Sequence, residues 1–540
     1  MGSPGVRTSS SSWLSLVAAT LLASGCAVDT TAETAAMDAT SSGDGDGDGD
    51  GDGDAEPWEP IPARGNIALT QVVVNQGVDV PITIDGEWIG PQDRNTFLVS
   101  NRDTLLRGFW EIPEDWVPRK ITAMLELHFP DGTSETFEDT KMVDGPSFAG
   151  DLDRGFVFPL VAEQFPAGIQ FHMSLWEAEP GAEEQPESTT IIEAPIGGPE
   201  LVGAQPEPAE LELVLVPVVY NDGNGCSTDT SVEVSEEQEQ NFIDYHHEQY
   251  PVQEIIWEFR RSEPIIWNEA LTSLAQLWAP LQDLRAADNA APNVYYYALV
   301  NVCAGGIDGA AGIAPGLATD TKAAAFERVS AGVWLDGQAY AYHTMVHEIG
   351  HNHGRAHVFC AGGDAAGTDP TYPHEDGIIG VWGFGIRHFK LYSPTATRDI
   401  MTYCDPSWVS DWGWSKAFNR IRTLTAWTYE GAAAEPEPEG EVLMGLLMKD
   451  GSEQWWTTGG AREPEHFSSG ETISFDYGDA VIDSPTNVQI LDDGTTMITT
   501  MVPRPLVEFE TATRIDAGEV RALEIDLGQR VHHKLAASLP

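Results

Sequence analysis

Positive charge is what this chain has least of. Across 540 residues, 28 lysines and arginines face 85 aspartates and glutamates, for a formal net charge of −57. A surface of that sign repels a polyanion, so nucleic acid is excluded as an expected partner. Cysteine is scarce as well, five in all, and no two stand at the C-x-x-C spacing that cysteine-bound zinc modules use. Long hydrophobic runs are missing. The apolar stretch Trp13 to Ala23 is too short for a bilayer, which takes about 20 residues, and no later stretch is long and apolar enough to be a transmembrane helix. A chain of this length does permit several cores, and about two to four domains are expected.

The short N-terminal run, preceded by Arg7, suits the h-region of an export signal. It ends in Ala23-Ser24-Gly25-Cys26, which resembles a bacterial lipobox with alanine where leucine is commoner. Residues 1–26 are therefore expected to be a lipoprotein signal peptide, with Cys26 lipidated. A plain signal peptide cut nearby is the alternative, and either one exports the protein. Membrane contact is expected only through that anchor, at the cell surface or outer membrane, with release from the cell also open.

Residues 27–64 include an alternating Gly-Asp run from Gly43 to Asp54. Flexible glycine with evenly spaced negative charge makes a self-repelling tether that cannot bury a core. Residues 65–205 carry short β-prone runs between turn residues, such as Ala123 to Phe129 closed by Pro130-Asp131-Gly132, which predicts a β-sandwich. From 206 to 431 strand and helix patterns alternate. Leu211 to Tyr220, Glu254 to Phe259, Tyr295 to Val300 and Ser330 to Leu335 read as strands. Val234 to Gln249, a segment from Asn268 as N-cap through Leu284, and Lys416 to Thr428 read as helices. Ala432 to Gly440 is a Pro/Glu linker, and 441–540 holds short apolar runs expected to form a small β domain.

The chemistry concentrates in His347-Glu348-Ile349-Gly350-His351-Asn352-His353-Gly354-Arg355-Ala356-His357. An i, i+4 spacing puts His347 and His351 on one helical face, where two imidazoles can grip one metal ion. Glu348 is placed to polarise the attacking water without being a ligand. Gly354 lets the chain leave the helix in a conformation that a β-carbon resists, and brings His357 back as a third ligand. Three neutral imidazoles leave a fourth position open, the mark of a catalytic rather than a structural zinc site. His343 precedes the motif and His353 lies within it, but neither has the position of a ligand.

This H-E-x-x-H-x-x-G-x-x-H pattern, with the methionine of Asp399-Ile400-Met401-Thr402-Tyr403 downstream, resembles the metzincin clan of zinc endopeptidases, bacterial secreted or surface members among them. The resemblance implies an α+β catalytic domain, a twisted mixed sheet plus the zinc helix, flanked here by the β-sandwich-like N-terminal region and the small β C-terminal domain. It implies Zn2+ on His347, His351 and His357, Glu348 as general base, Met401 packed beneath the metal, and Tyr403 as a candidate stabiliser of the oxyanion. Gly312-Ile313-Ala314 is the candidate edge strand for extended substrate.

Setting Cys26 aside, four cysteines remain, with three possible pairings. Cys360 with Cys404 is favoured, one following the third ligand and the other the methionine turn, which leaves Cys226 with Cys303. A bridge closing the first loop is worth about 3–4 kcal/mol on the loop-entropy account. The expected function is thus an exported zinc metalloendopeptidase acting on polypeptide or glycoprotein. The competing reading is a catalytically inactive surface lipoprotein that binds protein or carbohydrate.

Overall fold

Strict alternation builds the N-terminal region. In the strands Arg119–His128 and Gln170–Glu177 every second residue is buried, from Ile121 to Leu127 and from Phe171 to Glu177. Such a strand has one core face, and two five-stranded antiparallel sheets close over it. One runs Glu87–Trp88, Asp79–Ile84, Ala68–Asn75, Thr104–Glu111, Phe156–Leu160. The other runs Glu200–Leu201, Gln170–Glu177, Arg119–His128, Ser134–Val143, with Glu193–Ala194 beside Gln170–Glu177. Val72, Leu106 and Trp110 of the first sheet share a core with Leu125, Phe171 and Met173 of the second. The chain already packs on this sandwich at Ala63, whose N–H donates to the Leu175 carbonyl at 3.0 Å.

The computed structural model describes residues 58–526 except 317, 336–338, 364, 430–439, 464–466, 468, 506 and 517. The expected signal peptide, Cys26, the Gly-Asp run and nearly all of the 432–440 linker lie outside the described residues. Among the described residues no helix is long and apolar enough to cross a membrane. The molecule is mixed α/β, mostly sheet, with several separate sheets.

Glu210–Asn221, apolar on both faces through its middle, lies at the centre of the second region. It pairs in parallel with Glu254–Phe259, Ile265–Trp267 and Val294–Val300, and the last pairs in parallel with Val329–Val333. Gly312–Ile313 closes that edge antiparallel. Helices Glu236–Gln249, Tyr340–Asn352 and Asp411–Tyr429 pack against this sheet through a core that includes Leu213, Phe242, Val346, Met401 and Phe418. One expected cap is displaced. The helix predicted from Asn268 begins instead at Ser273, as a 3-10 turn (Leu274–Leu277) running into Trp278–Ala287. The Ser273 hydroxyl accepts from Ala275 N at 3.1 Å and the Gln276 side chain returns to Ser273 N at 3.2 Å, a reciprocal box that Asn268 does not have.

The C-terminal region is an eight-stranded sheet that includes Glu441–Leu447, Glu453–Gly459 and the hairpin Val481–Ile490/Thr496–Met501. One face of it shares a core with the central sheet: Val442, Met444, Trp456 and Met497 pack with Trp278, Leu281 and Val329. Trp456 Nε1 donates to Gln282 Oε1 across this junction at 2.7 Å. Two disulfides, Cys226–Cys303 and Cys360–Cys404, form the favoured pairing and point to an oxidising environment.

Candidate metal centre

The motif helix, Tyr340–Asn352, carries His347, Glu348 and His351 on its buried face. It stops where expected. Gly354 adopts φ +76°, and the chain turns back through Arg355, whose N–H donates to the Gly350 carbonyl at 3.0 Å. His357 then returns to its partners. His351 Nε2 lies 3.2 Å from His347 Nε2 and 3.2 Å from His357 Nε2.

The other ring nitrogen of each histidine faces a main-chain carbonyl. His347 Nδ1 meets Ile400 O at 2.7 Å, His351 Nδ1 meets Arg355 O at 2.7 Å, and His357 Nδ1 meets Ala366 O at 2.8 Å. A carbonyl only accepts, so each Nδ1 carries the proton and a neutral ring has a bare lone pair at Nε2. Three bare lone pairs then converge in a buried site, where they cannot hydrogen-bond one another. A cation resolves the conflict. Nitrogens about 2.0–2.1 Å from a tetrahedral zinc stand roughly 3.3 Å apart, close to the spacing found. The residues present therefore fit a metal, and these three form a buried group with ligand atoms all within 4.8 Å. Burial, followed by the neighbouring His357, pulls His347 down to about 4, and burial holds His351 well below the usual imidazole value. Both favour the neutral, ligating form. At His357 burial also pulls down, but the carboxylate of Asp492 outweighs it and the net shift is upward.

Glu348 is buried beside the triple, and its Oε2 has no hydrogen-bond partner among the described residues. Burial first, then the charge of Asp492, raises its carboxyl well above the ordinary value. The main chain of Gly312, the edge strand, stands against this carboxylate. The Tyr403 hydroxyl lies 3.1 Å from His357 Nε2, and burial and Asp492 keep it protonated.

Met401 is fully buried beneath the helix. A β-carbon at Gly350 would fall 2.5 Å from its sulfur, so the glycine inside the motif is what admits the methionine. The turn itself is held by Asp399. Its Oδ1 accepts from Met401 N at 2.9 Å and from Arg355 Nη2 at 2.6 Å, and its Oδ2 accepts from Ser410 Oγ at 2.5 Å. Arg355 thus orients His351 with its carbonyl and the methionine turn with its guanidinium. Val358 N donates to Met401 O at 2.8 Å, and the Cys360–Cys404 bridge ties the same two segments a few residues on.

Three other histidines lie apart from the triple. His353 meets the Tyr295 hydroxyl at 3.1 Å, His343 packs on Tyr245, and His374 pairs with Asp411 at 2.9 Å. Sequence reasoning missed Arg355 and Asp399 as a pair, and it missed Asp492 altogether. That side chain comes from the C-terminal hairpin and its Oδ2 stands 3.5 Å from His357 Nε2. Asp492-Asp493-Gly494 does signal a hairpin turn, but nothing local says where the turn docks. No family model matches this chain and no curated protein matches it.

Proposed function

We propose that the protein is an exported, zinc-dependent endopeptidase of metzincin type, with an α+β catalytic domain spanning about residues 206–431. The observation that carries this reading is the convergence of three Nε2 lone pairs, each fixed by a main-chain carbonyl on its Nδ1, beside a buried and unpartnered glutamate. His347, His351 and His357 would hold the ion, and zinc bound there would polarise the scissile carbonyl and lower the pKa of the attacking water towards about 7.

The protein's own groups supply the rest. Glu348, raised by burial, takes the proton from water as it attacks and hands it to the leaving amine. The Tyr403 hydroxyl donates to the developing oxyanion. Gly312–Ile313, antiparallel at the sheet edge, offers main-chain pairing to extended polypeptide or glycoprotein. Cys26 tethers the enzyme to the cell surface through the acidic linker, and fractionation of Cys26→Ala beside wild type checks this. Wild type recovered wholly soluble, without lipid on its N-terminal peptide, would remove the anchor and leave the protease.

Elemental analysis of purified ectodomain should give one zinc per chain, and chelation should abolish peptide cleavage. Glu348→Gln should keep the zinc and lose about 10²–10⁴ in turnover. Near-normal turnover in that variant would sink the assignment of the base, and an active preparation free of metal would sink the zinc.

A further inference from the structure

Polar groups are left over beneath the motif helix. Tyr297 belongs to the strand Val294–Val300 and shares a core with Val346 and Ile349 of that helix, so its ring lies on the sheet face that the helix covers. Ser330 is its register partner in the parallel pair with Val329–Val333 and points to the same face. Asn352, one turn after Glu348, reaches the start of that strand, where its Nδ2 donates to Glu327 O at 2.9 Å and to Val329 O at 3.2 Å. Tyr297 Oη, Ser330 Oγ, Asn352 Oδ1 and Glu348 Oε2 are all buried, and among the described residues none of the four has a hydrogen-bond partner. Burying a polar atom unpaired is costly, and here four lie along one face.

Two opposed glycines open the space between the tyrosine and the glutamate. Gly312 of the edge strand pairs with Gly332. A β-carbon at Gly332 would overlap Tyr297 Oη, and one at Gly312 would fall 2.7 Å from Glu348 Oε1. The hydroxyl and the carboxylate therefore occupy neighbouring places on one sheet face. Burial first, then the charge of Glu348, raises the Tyr297 phenol well above its ordinary value, so it stays a donor. No direct bond joins the two groups. A bridge must accept from the phenol and donate to the carboxylate, and water does both. Buried waters typically hold about three hydrogen bonds to groups that lack other partners, and Ser330 Oγ supplies the third.

We propose that Tyr297 is a positioning residue for Glu348: through a water held with Ser330, its hydroxyl fixes the carboxylate from beneath the motif helix. This rests on the endopeptidase reading above. A general base works only from a defined place beside the proton it takes, and this contact gives Glu348 a support that neither the histidines nor the methionine turn provides.

The test uses the whole ectodomain as wild type, Tyr297→Phe, Ser330→Ala, Glu348→Ala and the double variant Tyr297→Phe/Glu348→Ala. Tyr297→Phe removes one oxygen and keeps the ring, and loaded with Co2+ it should show the wild-type visible spectrum, since the histidines are untouched. It should leave KM for a short peptide unchanged and lower kcat about tenfold, roughly the worth of one hydrogen bond to a charged group. Tyr297→Phe and Ser330→Ala should each lower the urea midpoint, because each takes a partner from the bridging water. In the Glu348→Ala background Tyr297→Phe should shift that midpoint less. An isolated buried hydroxyl behaves in the opposite way, since its removal leaves kcat as it was and holds or raises the midpoint. Unchanged kcat, or equal midpoint shifts in the two backgrounds, would overturn the proposal. Wild type that binds metal and cleaves no peptide would overturn the endopeptidase reading and the role of Tyr297 in it, while the midpoints would still report the contact with Glu348.

Discussion

The region that carries the three histidines is gripped from two sides, and the two grips differ in kind. The N-terminal sandwich holds its back. Trp414 and Trp408 bury their rings in the sandwich core while donating to Phe97 O at 3.0 Å and Gly77 O at 2.8 Å. Arg102, fully buried, donates to Gln76 O at 2.9 Å and to the carbonyls of His247 and Val252. These bonds go to Phe97, Gly77, Gln76, His247 and Val252, and none to His347, His351 or His357. The C-terminal sheet holds the front, and there one of the contacting residues, Asp492, faces the ligands themselves. A shared apolar core can therefore serve as a brace or as a cover, and what separates them is where the hairpin turn falls.

The largest effect should come from breaking the brace. Trp414→Ala removes a fully buried ring from the sandwich core and should cost about 3–5 kcal/mol in urea unfolding, with an unchanged cobalt spectrum at the histidines. An altered spectrum would mean that the back grip reaches the site. Leu491→Ala should cost less, about 2–4 kcal/mol, because it thins the core shared with the central sheet, with the cobalt spectrum again unchanged. An altered spectrum would mean that the front junction reaches the histidines.

The brace should also respond to acid. His246, stacked on Tyr250 in the helix that meets Arg102, is pushed down to about 3 by burial. Between its unfolded value near 6.5 and that folded value, the unfolded chain holds a proton that the folded chain does not, so stability falls as pH falls across this window. From pH 7 to pH 5 the loss is about 2 kcal/mol. His246→Phe should show that much less acid destabilisation than wild type, and equal slopes would refute it. The smallest effect belongs to Trp456→Phe, which deletes the hydrogen bond to Gln282 and should cost about 1 kcal/mol, read as a small drop in the urea midpoint with peptide cleavage little changed.

Much of the site was legible because it is local. His357 is ten positions after His347, and helix periodicity plus one glycine place them. Glu210–Asn221 and Val294–Val300 were legible because burial on two faces leaves long apolar runs. Asn268 was misread because a single capping side chain is a weaker signal than the reciprocal Ser273–Gln276 pair. Asp399 stood in the quoted methionine turn, but its partner Arg355 is 44 residues earlier, and an ion pair leaves no trace in spacing. Asp492 was illegible for the same reason, at greater range. Its turn is written in Asp-Asp-Gly, while its destination depends on Leu491 and Met497 joining a core built more than 200 residues upstream, around Trp278 and Leu281.

The three carbonyls behind the histidines carry one last consequence. Ile400, Arg355 and Ala366 act there through the main chain, so no change of side chain at those positions can delete the acceptor. In many metal sites a carboxylate performs this task, and its substitution retunes the ion. Here the basicity of the ligands is insulated from point mutation and can drift only if the backbone moves. Variation in this centre is thereby steered towards loop geometry and the cover, and away from the imidazoles.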